Sequence, residues 1–201
     1  LPKAELHVHF EGTVSPTLLC TLAQKNSVDL KAAVALPGLA EPIQPPPGLA
    51  EGTPRMRDFL DFIGIYLKTT QTIQSADDIL LIAEEMLSSA AAQNIQYIEC
   101  YFTPTTFALF NVQTKDLFDG LIAAETLAKM KYQIELQWIF DIVRNVSRDG
   151  AETLVLARAA RKQGVAVYSI GLAGYEAQGS ARMFATAFEI ARAEGFRTLA
   201  H

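Results

Sequence analysis

The sequence predicts an α/β fold of the (β/α)8 TIM-barrel type, of which about the first five βα units are present. Five apolar, strand-like runs alternate with helical patterns along the 201 residues, and such alternation produces parallel strands joined by right-handed crossovers. An open doubly wound sheet is the other fold with this pattern. The first strand lacks the G-x-G-x-x-G fingerprint of that class, and histidines stand near the ends of the strand-like runs. The barrel is therefore favoured.

The chain opens with a strand-like run around His7 and His9, followed by a helix. Ser15 is a capping residue and Pro16 suits the first helical position, so this helix should run from there to about residue 26. Residues 35–56 contain six of the nine prolines. Because proline removes amide donors and blocks helices, this stretch is predicted to be a long irregular loop.

The rest of the chain continues the alternation, with capping residues and glycines at several boundaries. Because the chain ends at the tip of its fifth predicted strand, we expect residues 1–201 to be one incomplete barrel domain within a longer polypeptide. Helices are predicted at about 56–69, 76–93, 115–130, 147–163 and 181–194, and strands at 95–102, 133–142, 165–172 and 197–201.

Composition limits the classes of partner and the compartment. The net charge is −5 and no basic run occurs, which argues against a nucleic acid or an anionic membrane as partner. No apolar run is long enough to span a membrane, and no signal-peptide pattern opens the chain. Cys20 and Cys100 are isolated, so a disulfide framework is excluded and a reducing, cytoplasmic location is expected.

The three histidines are the main candidates for chemistry. His7 and His9 are two residues apart in an alternating run, so both imidazoles lie on one face of a strand. Imidazole nitrogens are preferred ligands of zinc. A His-x-His pair by itself is as readily a chance pair on an exposed strand. The third histidine, His201, also ends a strand-like run, and this favours a metal site.

Four segments resemble the adenosine deaminase family of the amidohydrolase superfamily. They are PKAELHVHFEGT at 2–13, the strand end at 97–104, the segment 170–176 and the segment 198–201. The resemblance implies one zinc ion per chain, held by His7, His9 and His201. It places the fourth ligand (an aspartate), the general-acid glutamate and a catalytic histidine beyond His201, so residues 1–201 alone are not expected to be catalytic.

The resemblance implies hydrolytic deamination of a 6-aminopurine nucleoside, with adenosine, converted to inosine and ammonia, as the first expectation. Three residues depart from the family pattern. Gly171 and Tyr175 replace two aspartates of the segment after strand four, and Tyr101 stands where arginine is frequent. These changes flank the purine pocket, so deamination of adenine or aminodeoxyfutalosine remains an alternative.

The resemblance also implies a set of substrate contacts, each with a simpler alternative. Glu11 would reach the ribose, or would be a surface carboxylate at the barrel rim. Gly174 would offer its backbone N–H to the purine, or would be an ordinary turn glycine. Phe59 and Phe62 would cover the pocket from a helix, or would belong to the core. Thr103 would lie at the rim, or would cap a helix.

Two other classes of metal-dependent hydrolase and one non-enzyme compete with this interpretation. Binuclear amidohydrolases bridge two metals with a carboxylated lysine on strand four, and residues 165–172 contain no lysine. Cytidine-deaminase-type enzymes need H-x-E with P-C-x-x-C, which two lone cysteines exclude. A non-catalytic, purine-binding pseudoenzyme with the same barrel remains open.

Overall fold

The computed structural model describes residues 1–35 and 41–201, and within them it contains one parallel β-sheet. The strands lie side by side in the order in which they occur in the chain, and every neighbouring pair is parallel. A doubly wound sheet reverses its strand order at a switch point, whereas a barrel does not. The predicted barrel-type α/β fold is therefore confirmed. The strands are β1 (Lys3–His9), β2 (Ile95–Phe102), β3 (Glu135–Val143), β4 (Val167–Ala173) and β5 (Arg197–Thr198).

Helices connect the strands, and capping groups set several of their boundaries. The second helix begins later than predicted because the Asp58 side chain accepts a hydrogen bond from the amide of Asp61 and so caps the first turn. A short helix directly after β2 was not predicted. The helices of the described residues are α1 (Pro16–Lys25), α2 (Phe59–Thr72), α3 (Ala76–Ala92), α4 (Pro104–Leu109), α5 (Thr114–Leu127), α6 (Ala151–Gln163) and α7 (Ala185–Ala193).

The fifth strand is shorter than the predicted 197–201, yet the chain stays beside β4 after it ends. The amide of Leu199 donates to the Ile170 carbonyl (3.0 Å), and the amide of His201 donates to the Leu172 carbonyl (3.1 Å). These two bonds carry His201 along the edge of β4 to the end of the sheet where β1 also finishes.

The proline-rich segment forms an irregular loop over its described part, and residues 36–40 lie outside the described residues. An antiparallel bridge joins Val34 to Ile43, and the amide of Thr53 donates to the Gly48 carbonyl at 2.8 Å in a tight turn. Leu49 is buried in a small apolar cluster with Leu19 of α1. The loop therefore packs on α1.

The main core lies between the sheet and its helices, and strand periodicity decides which side chains enter it. On β3, Trp138, Phe140 and Ile142 are fully buried in this core. Asp141, between two of them, points to the opposite face of the sheet. That opposite face carries the polar residues of the strand ends. None of the helices in the described part of the chain is long and apolar enough to cross a bilayer.

Candidate metal centre

Three histidine side chains meet at the C-terminal ends of β1 and β5. His7 and His9 project from the same face of β1, and His201 follows β5. One ligand nitrogen from each imidazole lies within 4.8 Å of the other two. The ring centroids of His7 and His201 are 4.7 Å apart, and that of His9 is 5.2 Å from both. The structure thus brings all three predicted metal ligands together.

The local environment favours the neutral form of these imidazoles. Burial, followed by positive charge on His201 and His7, lowers the pKa of His9 to about 4. Burial, with His7 and Arg144 nearby, also lowers the pKa of His201. A metal binds the neutral imidazole, so at pH 7 these two groups need not lose a proton before coordination.

Asp141 lies beside this cluster on the inner face of β3. Its carboxyl group is fully buried, Oδ2 is 3.9 Å from His9 Nδ1, and neither oxygen has a hydrogen-bond partner among the described residues. Burial, then the charge of Glu11, raises the pKa of Asp141 well above its ordinary value. With His9 neutral, the two do not form an ion pair. Such an unpartnered carboxyl group beside three imidazoles fits a bound cation, which would compensate its burial.

Glu11 is also buried, in the short 3-10 turn that directly follows β1. Its Oε1 accepts hydrogen bonds from the amide (3.0 Å) and the hydroxyl (2.7 Å) of Thr103, and the Tyr66 hydroxyl lies 3.3 Å from that same hydroxyl. Glu11 Oε2 is buried without a partner among the described residues, and burial raises the pKa of this group. Glu11 is therefore not a surface carboxylate at the rim.

Thr103 occupies the N-cap position of α4, but its hydroxyl makes no capping hydrogen bond. That hydroxyl instead donates to Glu11. Since Thr103 is itself only 3 % exposed, it orients the Glu11 carboxyl group from within the buried interior. Thr103 therefore stands at the helix-cap position that was the alternative expectation, but its carbonyl, which accepts from the Thr106 amide at 2.9 Å, and not its hydroxyl, bonds to the first turn.

Phe59 and Phe62 lie on the outer face of α2 and are 48 % and 46 % exposed, so neither belongs to the core of the described residues. The Phe59 ring centroid is 5.9 Å from that of Phe62 and 5.7 Å from that of Tyr175, which follows β4. The three rings form an aromatic cluster next to the strand ends.

Gly174 lies in the turn after β4 with φ of +94°, a left-handed conformation that favours glycine. A β-carbon at this position would lie 3.0 Å from Asn145 Oδ1 and 3.1 Å from the Arg144 amide nitrogen. The turn therefore needs glycine for its own geometry, and Gly174 is exposed.

Tyr101, which was expected to flank the purine pocket, lies against two of the histidines. It is opposite His9 in the register of β1 and β2, and its ring centroid is 4.4 Å from that of His7 and 5.0 Å from that of His9. Asp141 was not predicted as part of the site. Its sequence signal is a single charged residue within the apolar run 138–142, because a carboxylate inside a buried strand needs a specific reason.

Sequence comparison supports the family resemblance that the four segments of the sequence indicated. The family model described as adenosine deaminase matches residues 2–201. The chain is 30% identical over 202 residues to aminodeoxyfutalosine deaminase from Streptomyces avermitilis, covering 100% of this chain and 53% of that protein. It is 31% identical over 202 residues to adenine deaminase from Crocosphaera subtropica, covering 100% and 57%. The chain thus spans about half the length of these curated relatives.

Two solved structures share the fold of the whole chain at a TM-score of 0.79 and 23% identity. They are adenine deaminase from Arthrobacter aurescens, of which the chain covers 57%, and an amidohydrolase from Burkhoderia ambifaria with bound Zn, of which it covers 52%. All of this chain is aligned in both cases. The five strands and their helices therefore correspond to about half of each larger protein.

Proposed function

The chain belongs to the adenosine deaminase family, and from this premise we propose that the protein is a zinc-dependent hydrolase that removes the 6-amino group of a purine. The observation that carries the proposal is the convergence of His7, His9 and His201, whose ligand nitrogens lie within 4.8 Å of one another. Parallel strands present their functional groups at this end of a barrel. The site is therefore where such an enzyme would hold its metal and substrate.

His7, His9 and His201 would hold one zinc ion per chain. Zinc in such a site acts as a Lewis acid and activates water near neutral pH. The water oxygen becomes the 6-oxo group of the product, and the amino group leaves as ammonia. The family resemblance places the proton-donating glutamate and the remaining aspartate ligand beyond residue 201, so the proposed activity is that of the protein in its natural length.

The other pocket residues would bind and orient the purine. Glu11 Oε2, which has no partner among the described residues, is available to a polar atom of the substrate, while Thr103 holds Oε1 in place. Gly174 would let the flat ring approach its backbone N–H. The aromatic cluster of Phe59, Phe62 and Tyr175 would cover the apolar faces of the bound molecule.

We propose adenine or aminodeoxyfutalosine as the substrate, in preference to the adenosine first expected from the sequence. The relatives described above are deaminases of these two compounds. Gly171 and Tyr175 depart from the adenosine deaminase pattern near the pocket. They are consistent with a changed substrate on an unchanged metal site.

The test uses the protein in its natural length, with metal content measured by mass spectrometry. Release of ammonia and the ultraviolet change are followed with adenine, aminodeoxyfutalosine and adenosine in parallel, with a His201→Ala variant as control. We expect about one zinc per chain, and turnover of adenine or aminodeoxyfutalosine at least about tenfold faster than that of adenosine, or about 1.4 kcal/mol of discrimination. Zinc without turnover of any of the three would favour the non-catalytic, purine-binding barrel. Absence of metal after reconstitution would reject the site itself.

A further inference from the structure

The proposed reaction assigns no role to Asp141, the buried acid at the metal centre. The family resemblance puts an aspartate in strand four at the position of Gly171, which here has no side chain. Asp141 of β3 is the direct neighbour of Gly171 in the β3–β4 register. This chain therefore has its carboxyl group one strand away from the expected place.

The two positions exclude each other sterically. A β-carbon on Gly171 would lie 2.0 Å from Asp141 Oδ1 and 3.1 Å from Ile139 Cγ2. Since 2.0 Å is far inside any non-bonded contact, residue 171 can carry a side chain only if Asp141 moves. The carboxyl group of β3 thus occupies the space that a side chain on β4 would fill.

The surroundings of Asp141 include one of the metal-site histidines. His9 Nδ1 lies 3.9 Å from Asp141 Oδ2, and no described residue donates a hydrogen bond to either carboxyl oxygen. Burial of an unpartnered carboxyl group is unfavourable, and proteins retain such groups mainly at functional sites. The His9 ring centroid is also 5.2 Å from those of both His7 and His201.

We propose that Asp141 is the positioning residue for His9 in the metal site, and that it supplies from β3 the carboxylate that the family pattern supplies from β4. This inference rests on the metal site of the proposed function. Acceptance of the His9 Nδ1 proton by Asp141 would leave Nε2 as the metal-binding nitrogen and would orient the ring. Carboxylates in this role raise the basicity of the ligand and fix its tautomer.

The test measures zinc affinity by competition with a chelator, independently of turnover, on the protein in its natural length. Asp141→Ala is expected to weaken zinc binding by about 10–100-fold, and Asp141→Asn, which keeps the shape without the charge, by less. Thermal unfolding of the metal-free Asp141→Asn variant should occur at the same or a higher temperature than in the wild type, because the unpartnered carboxyl group does not stabilise the fold.

Asp78→Asn is the matched control, because Asp78 is an equally buried aspartate with a full set of hydrogen-bond donors far along the chain from the histidines. It should lower the metal-free unfolding temperature and leave zinc affinity unchanged. The double variant Asp141→Ala/Gly171→Asp, which returns the carboxylate to β4, should recover part of the lost zinc affinity.

Three outcomes would overturn the proposal. One is wild-type zinc affinity in both Asp141 variants. Another is a loss of affinity matched by an equal loss of metal-free stability in Asp141→Asn, which would assign Asp141 a structural role. The third is a second zinc ion that disappears with Asp141, which would make it a ligand. If the wild-type protein binds zinc but shows no turnover, only the proposed reaction is rejected. If it binds no zinc, the proposed reaction and the proposed role of Asp141 are both rejected.

Discussion

Asp78 and Asp141 are two aspartates of equal burial in opposite environments. Both are 0% exposed. Asp78, in the first turn of α3, is surrounded by donors from two segments of the chain, while Asp141 at the metal centre receives no hydrogen bond from any described residue. The donors to Asp78 are Lys25 Nζ (2.6 Å), Asn26 Nδ2 (2.9 Å), and the amides of Gln74 (3.0 Å) and Ser75 (3.1 Å).

The difference separates a buried carboxylate that the fold compensates from one that it leaves uncompensated. Burial alone would raise the pKa of Asp78, but the Lys25 ammonium and the other donors hold it below its ordinary value. At Asp141 nothing outweighs burial, and the pKa rises. A carboxylate whose charge is compensated within the protein stabilises the native state. A carboxyl group left uncompensated is a mark of a functional site.

The largest expected effect is on zinc binding at the metal centre. His9→Ala should weaken zinc binding by more than roughly 100-fold, the upper limit for losing a residue that only orients a ligand, because it removes a proposed direct ligand. The proposed deamination should be lost with the metal. Chelator competition and a turnover assay provide the measurements. Metal-free stability should change little, since His9 is not part of the apolar core. Zinc binding at wild-type strength in this variant would contradict the assignment.

The next largest effect concerns the contribution of Asp78 to the stability of the fold. Asp78→Ala removes a capping-box side chain and leaves the Lys25 ammonium and the Asn26 amide without their acceptor. We expect the free energy of unfolding to fall by about 2–4 kcal/mol, from loss of the cap and of the charged hydrogen bonds. Urea denaturation of the metal-free protein measures it. A change below about 0.5 kcal/mol, the range of ordinary surface substitutions, would show that the donors do not stabilise the fold through Asp78.

A smaller loss of stability is expected where side chains of β3 and β4 compete for the same space. Gly171→Ala places a methyl group against Asp141 and is expected to cost about 1–3 kcal/mol of stability, as overpacked sites do. In the Asp141→Ala background the same change should cost much less, because the carboxyl group that it meets is gone. A double-mutant cycle by urea denaturation measures this coupling. Additive effects of the two substitutions would show that the side chains do not compete for the same space.

The smallest expected effect concerns acid stability through Asp61, a second compensated carboxylate. Hydrogen bonds from the Arg57 side chain and amide lower the pKa of Asp61 from 3.8 to about 2. Because this folded-state pKa lies below the unfolded value, the contribution of Asp61 is complete above about pH 4 and is lost as the pH falls towards 2.

The Asp61→Asn variant should therefore be less stable than the wild type at pH 7, and the gap should narrow between pH 4 and pH 2. Denaturant midpoints over that range are the measurement. A gap that stays constant with pH would assign the effect to packing and not to charge.

The amino-acid sequence by itself determined the features that depend on backbone periods. The alternation of strands and helices follows from local patterns, and the shared face of His7 and His9 follows from the two-residue repeat of any strand. The helix after Ser15 was also predictable, because Ser15 caps it and accepts a hydrogen bond from the Leu18 amide. Each of these depends on residues that are close in sequence.

Only the tertiary structure decided which distant residues share the pocket. The register of β3 against β4 places Asp141 beside Gly171. The hydrogen bonds of Leu199 and His201 to β4 bring the third histidine next to the other two. Glu11 is buried and bonded to Thr103 instead of lying exposed at the rim. These contacts join strands far apart in the chain, and a shift of one residue would send each side chain to the other face. Local periodicity does not encode that register, because it comes from packing the whole sheet against its helices.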